Sequence, residues 1–315
     1  MNSNNFNLDY FLQKCNHKYL IDEVPHNTRY KLAFDEYRKL NNHANFSELE
    51  DIYKWFQINV NPYATKVGNI LTASFYFDLY FWKMNINIML GSPTINKKSI
   101  LNSLSDMPPA TKNLMCKDEK KLNELILYYI DCLEVFNNSG SQDIKPNISD
   151  YGIKFFRSGL NNIFSVHNQI LFAKYGYNQA VDNTIMEHIR MGIEKILKAF
   201  CIVEKKLTPS ASDKKFLTSK SMGHNLSGIV DICYECTNDN DFLLIKKHIN
   251  LLPKDVNHRY ENINYADAYL WRVIKLMHFI ANKFLRNYYN TNFREQILKS
   301  MEIDNETAFD ILIGN

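Results

Sequence analysis

The sequence predicts an all-α protein, a helical bundle. Three observations carry that prediction. Glycine and proline number 10 and 8 in 315 residues, about half their usual share, whereas sandwiches, barrels and propellers need many such turns. Apolar residues recur at three- and four-residue spacing through most of the chain. No alternating apolar–polar run extends beyond a few residues. At 45% hydrophobic and 23% charged residues, the chain has the material for a sizeable core, which excludes a disordered or fibrous class.

In chain order, helical spacing begins at residue 28, where Leu32, Phe34, Tyr37 and Leu40 share a face. Ser47, Glu48 and Glu50 make the acidic first turn of a helix that continues through Ile52, Trp55 and Phe56. Val67–Leu90 is the most apolar long stretch. It carries Asn69, Asp78, Lys83, Asn85 and Asn87, too polar a load for a bilayer span, and so predicts a buried helix crossing a domain. Leu122–Phe136 is apolar on most sides, as a central helix is. The small, polar, proline-containing stretch 137–150 then predicts a linker, dividing an N-terminal helical region (1–140) from a C-terminal bundle (150–315).

Beyond it, helices are expected over Ile153–Ala173 and Asn178–Lys206, the second striped by Val181, Ile185, Ile189, Ile196, Phe200 and Val203. Pro209 ends it, and a polar loop leads to a helix from about Leu217 to Cys236. Another spans Phe242–Leu252. The last starts near Tyr265, with Ala266, Leu270, Val273, Met277, Ile280, Phe284 and Tyr288 forming a bundle-type seam.

The formal charge is +3, smaller and less clustered than a dedicated duplex-DNA binder carries. Six scattered cysteines read as reduced thiols, and the N-terminus lacks a signal-peptide pattern, so a soluble cytoplasmic protein without membrane contact is expected. Phosphate-loop, dinucleotide, zincin and nucleophile-elbow motifs are missing, and no cofactor is implied. The single C-x-x-C of Cys233 and Cys236 has no further ligands at finger-like spacing, so no metal site is predicted.

The most informative segment is Ser221-Met-Gly-His224-Asn225-Leu226, where Gly223 marks an abrupt helix start. Upstream, Glu194-Lys-Ile-Leu-Lys198-Ala199 reads as a buried helix with two charges on its outer edge. Downstream, His258-Arg259-Tyr260 crosses a loop into the final helix. This order, E-x-x-L-K-A, then G-H-N-L, then R-Y before a long helix, resembles the HEPN superfamily, the higher eukaryote and prokaryote nucleotide-binding helical domains. The resemblance covers roughly residues 150–290. It implies an up-down bundle, commonly a homodimer, serving bacterial toxin–antitoxin, anti-phage or RNA-processing systems, with RNA and a protein partner such as an antitoxin as candidate partners.

Active members of that family are metal-independent ribonucleases with an Arg-polar-x-x-x-His motif, the Arg binding the scissile phosphate and the His serving as acid/base. An imidazole and a fixed cation suit those roles. Arg259 is not followed by a His at that distance. The sequence instead offers His224 meeting His258 and Arg259 as a small cationic pocket, with Arg38/His43 and Arg272/His278 as spacings that match the motif elsewhere. Lys205, Lys206, Lys214 and Lys215 flank one loop and are the candidate RNA-binding residues. Two further readings stand beside the ribonuclease: a non-catalytic interaction and dimerisation module, and a small-nucleotide binder without a phosphate cradle.

Overall fold

Fourteen helices and one two-stranded antiparallel hairpin make up the described residues, in agreement with an all-α bundle. The computed structural model describes residues 7–24, 26–41, 44, 46–60, 71–86, 95–138, 144–145, 148–175, 184–253, 265–290 and 293–314. Contacts divide the chain into Met1–Ile70 and Leu71–Asn315. The segment 137–150 therefore lies inside the second unit. There Lys145 N–H donates to the Tyr288 carbonyl, and its Nζ donates to the carbonyls of Arg286 and Asn287. Among the described residues no helix is long and apolar enough to cross a membrane.

The first unit holds α1 (Leu8–Ile21), α2 (His26–Leu40) and α3 (Phe46–Asn59). α1 has no forerunner in the sequence reading. Asn7 caps it through Oδ1 to the Tyr10 N–H, and Asp9 sits in its first turn, both favourable at a helix start. Leu12, Cys15, Tyr19, Tyr30, Ala33, Ile52 and Phe56 form a small core.

The second unit is built around α6 (Glu119–Asn138), α7 (Asp150–Tyr175), α8 (Thr184–Glu204) and α12 (Asp267–Tyr288). α7 and α8 run antiparallel and touch closely. A Cβ on Gly159 would meet Ile196 Cγ1 at 2.6 Å and the Gly192 carbonyl at 3.1 Å; one on Gly152 would meet Val203 Cγ2 at 2.5 Å. α4 (Lys97–Ser103) and α5 (Pro109–Lys117) precede α6; α9 (Ala211–Leu217), α10 (Leu226–Thr237) and α11 (Asp241–Ile249) follow α8; α13 (Phe293–Met301) and α14 (Asn305–Ile313) close the chain.

The Val67–Leu90 helix is replaced by a hairpin of β1 (Leu71–Phe77) and β2 (Tyr80–Ile86), with 67–70 and 87–90 outside the described residues. Phe75, Tyr76, Phe77, Tyr80, Phe81 and Trp82 are aromatics that fit a pleated surface, and Phe75, Phe81, Met84 and Ile86 are wholly buried. The turn residues Asp78 (φ 52°) and Leu79 (φ 58°) both adopt left-handed backbone, as a two-residue hairpin turn requires. Leu79 lacks the glycine signature of such a turn, which hid the hairpin in an apolar run.

A second correction concerns 217–236. Ser210 caps α9 by accepting from the Asp213 N–H, and residues 218–225 interrupt the expected single helix before α10. α13 and α14 were also not predicted. They are held from within: Arg294 N–H donates to Glu134 Oε1, and its Nη1 lies 3.0 Å from Asp131 Oδ1. Arg286 Nη2 reaches Asp131 at 2.7 Å. These four charged residues pin α6, α12 and α13 together in the interior.

Candidate functional site

α8 carries Arg190, Glu194 and Lys198 at four-residue intervals, on one face of the helix. The expectation that Glu194 and Lys198 lie on an outer edge is overturned: they and Arg190 are all buried. Burial of a carboxylate demands partners. Glu194 has three: Lys198 Nζ at 2.8 Å on Oε1, and Arg190 Nη1 at 3.4 Å and His224 Nδ1 at 3.1 Å on Oε2. Arg190 is a junction. Its Nε donates to the Pro253 carbonyl at 3.0 Å and its Nη2 to the His224 carbonyl at 2.5 Å. It thereby ties α8 to the chain entering α10 and to the chain leaving α11.

His224 differs from its partners in being 69% exposed at the side chain. A Gly223 N–H to Ser219 carbonyl bond closes a tight turn just before it, and Asn225 caps α10 by accepting from the Gly228 N–H. With the carboxylate on Nδ1, that nitrogen carries a proton and Nε2 is the acceptor of the neutral ring. His224 lines a cavity of about 300 Å³ together with Arg190, Asn225, Leu226, Ser227, Ile249, Asn250, Leu252 and Pro253. The first turn of α10 thus borders the cavity, with no acidic residue in it. Amides there have no carbonyl of their own helix, and the helix dipole favours an anion. An imidazole oriented by a buried carboxylate beside a helix N-terminus can exchange a proton with a bound, negatively charged group.

His258, Arg259 and Tyr260 lie outside the described residues, so their meeting with His224 has no structural description. His43 lies outside them as well. Arg38 is exposed, with its guanidinium 6.0 Å from the Phe34 ring. Arg272 and His278 are not brought together as a pair. Arg272 Nε donates to the Ile313 carbonyl, which ends α14, and Nη2 is 3.3 Å from His248 Nδ1.

His278 is wholly buried, its Nε2 2.7 Å from Nε2 of the equally buried His167. Ser74 N–H donates to His167 Nδ1, so His167 donates through Nε2 to His278. Burial holds both imidazoles neutral: His278 is lowered from 6.5 to about 3, and His167, with His278 beside it, lies well below 6.5. Six residues along a helix is about 120° of rotation, which separates Arg272 from this interior position.

Lys205, Lys206, Lys214 and Lys215 are all exposed. Cys233 turns away from Cys236 toward Cys201, Sγ to Sγ 3.5 Å. Among the described residues no group of three or more His, Cys, Asp or Glu side chains is placed to hold a metal ion. Sequence reasoning missed Arg190 and the partnership of Glu194 with His224. The available signal was the charge at every fourth position, 190, 194 and 198, inside an apolar helix. The chain matches no family model, no curated protein and no solved structure.

Proposed function

We propose that the protein is an RNA-directed, HEPN-like component of a bacterial stress or anti-phage defence system, cytoplasmic and homodimeric, that binds RNA and cleaves it without metal. The observation that supports the reading is His224: an exposed imidazole on a cavity wall, its Nδ1 held by the buried Glu194 carboxylate. In the reaction, Nε2 takes the proton of a 2′-hydroxyl as its oxygen attacks the adjacent phosphorus. The P–O5′ bond breaks, leaving a 2′,3′-cyclic phosphate and a 5′-hydroxyl. Glu194 fixes the ring and stabilises the imidazolium, a positioning role. The first turn of α10 supplies amides for the phosphate, and His258 and Arg259 are the sequence's candidates for protonating the departing oxygen and for charge stabilisation.

Total RNA incubated with the purified protein in EDTA tests this. Cleavage to cyclic-phosphate ends is expected, falling about 10²–10⁴-fold in His224→Ala and by up to about 10⁴-fold in Glu194→Gln. Arg259→Ala abolishes it if that cation serves the phosphate. Light scattering measures the dimer. Intact RNA, with no salt-sensitive RNA binding, overturns the reading. A second reading is favoured by Arg190, which joins three chain segments: the cluster is then a structural pin in a non-catalytic interaction module, and His224→Ala changes partner binding rather than RNA.

A further inference from the structure

We infer that residues 205–224 form a phosphate track for single-stranded RNA that runs along α8 and ends at His224. The inference rests on the reading of His224 as the cleaving group and names the form of substrate it takes. Its first support is charge. Residues 205–220 hold Lys205, Lys206, Lys214, Lys215 and Lys220 against Asp213, a formal +4, whereas the whole chain is +3. The rest of the molecule is therefore formally −1, and its positive excess resides in this one segment. All five lysines are exposed.

The second support is the path of the chain. Lys205 Nζ lies 5.9 Å from the Phe216 ring, so α9 folds back onto the end of α8 and brings the two lysine pairs to the same end of that helix. From there residues 218–223 step back along α8 through turns closed by the Thr218, Ser219, Met222 and Gly223 N–H groups. They deliver His224 to Glu194, about 16 Å down the helix axis from Lys205 at 1.5 Å per residue. Lys220 sits on this return path. Along the chain the five lysines thus precede the imidazole, with Lys205 near the end of α8 and His224 at Glu194.

Two neighbouring acids have hydrogen-bond donors of their own. Asp213 accepts from the Thr208 N–H and hydroxyl, and Glu204 accepts from the Tyr288 hydroxyl. The cations are all lysines. Point charges on flexible stems follow a phosphate backbone, whereas planar, bidentate recognition of a phosphopeptide or a base edge is arginine chemistry. A single strand is indicated by the reaction: the attacking 2′-oxygen must come in line with the departing 5′-oxygen, which a stacked A-form helix does not permit.

Binding is measured by fluorescence anisotropy with a 2′-O-methylated single strand, which cannot cyclise, across a salt series and in EDTA. If all five lysines engage phosphates, log K falls with log salt at a slope of about −3.5. The variant carrying K205Q, K206Q, K214Q, K215Q and K220Q, checked for helix content, is expected to lose most of that slope and at least tenfold in affinity, while the K97Q/K98Q variant, at exposed lysines outside the segment, binds as wild type does. Unchanged slope and affinity in the five-lysine variant overturn the track. Equally tight binding of the matching duplex, or equal displacement by polyglutamate, overturns the single-stranded RNA assignment, the latter in favour of an acidic protein partner. Wild-type protein that binds by this slope yet leaves the unmethylated strand intact refutes His224 and keeps the track. Cleavage undiminished in the five-lysine variant does the reverse.

Discussion

Two polar regions of the second unit use the same residue types to opposite ends. In the interior, Asp131, Glu134, Arg286 and Arg294 neutralise one another, and His167 and His278 share a proton out of reach of water. At the α8–α10 edge, Glu194 is buried in the same manner, but one of its three partners is a histidine left mostly in solvent. The difference teaches that burial of a charged cluster says nothing of chemistry by itself. What matters is whether one member of the cluster keeps a polar atom available to a ligand. In the interior network each carboxylate is held by a guanidinium of the same cluster; the edge network ends on a ring that lines a cavity.

The comparison breaks most visibly at Asp131. Asp131→Ala leaves Arg294 and Arg286 facing each other without their shared acceptor, and a loss of about 3–5 kcal/mol is expected from urea unfolding. A loss below about 1 kcal/mol contradicts the pinning role.

Acid sharpens the same contrast. His167 and His278 have folded values below the ordinary 6.5, so the unfolded chain binds protons that the folded chain refuses. Their contribution is fully present above pH 6.5 and is lost as pH falls below it, by up to about 1.4 kcal/mol per pH unit for each imidazole. Unfolding midpoints between pH 7.5 and 5 should show this slope, and His278→Leu should flatten it.

Gly159→Ala drives a methyl to 2.6 Å from Ile196 and should cost about 1–3 kcal/mol by thermal unfolding, a packing effect without ionic content. At the edge, His224→Ala should change stability by no more than about 0.5 kcal/mol while removing RNA cleavage. A large loss of stability there would place His224 with the interior network, as a structural residue.

Much of the fold was legible because α6, α7, α8 and α12 bury residues at helical period, and that period is a one-dimensional signal. The hairpin was not, since Asp78 and Leu79 take left-handed backbone without a glycine and its strands sit in an apolar run that a helix also explains. α13 and α14 depend on Glu134 and Arg272, about 160 and 40 residues away, partners that no local pattern reports. Of the site, His224 was legible from the turn before it. Its bond to Glu194 was not, because two charges four apart on a helix are ordinarily a solvated pair. The motif-spaced Arg272/His278 pair misled, since spacing along a helix is not proximity in space.

The ion pairs across α6 also set when the molecule can fold. Glu124 is held by Trp271 and Lys275, and Asp131 by Arg286 and Arg294, separations of 147 to 163 residues. A nascent chain that has emerged as far as α11 carries α6 with Tyr128, whose ring packs against Trp271 and His278, uncovered on the side that α12 will occupy. Closure therefore waits until α12 and α13 have emerged, a high-contact-order step that makes folding slow and leaves the α6 surface exposed to association during synthesis.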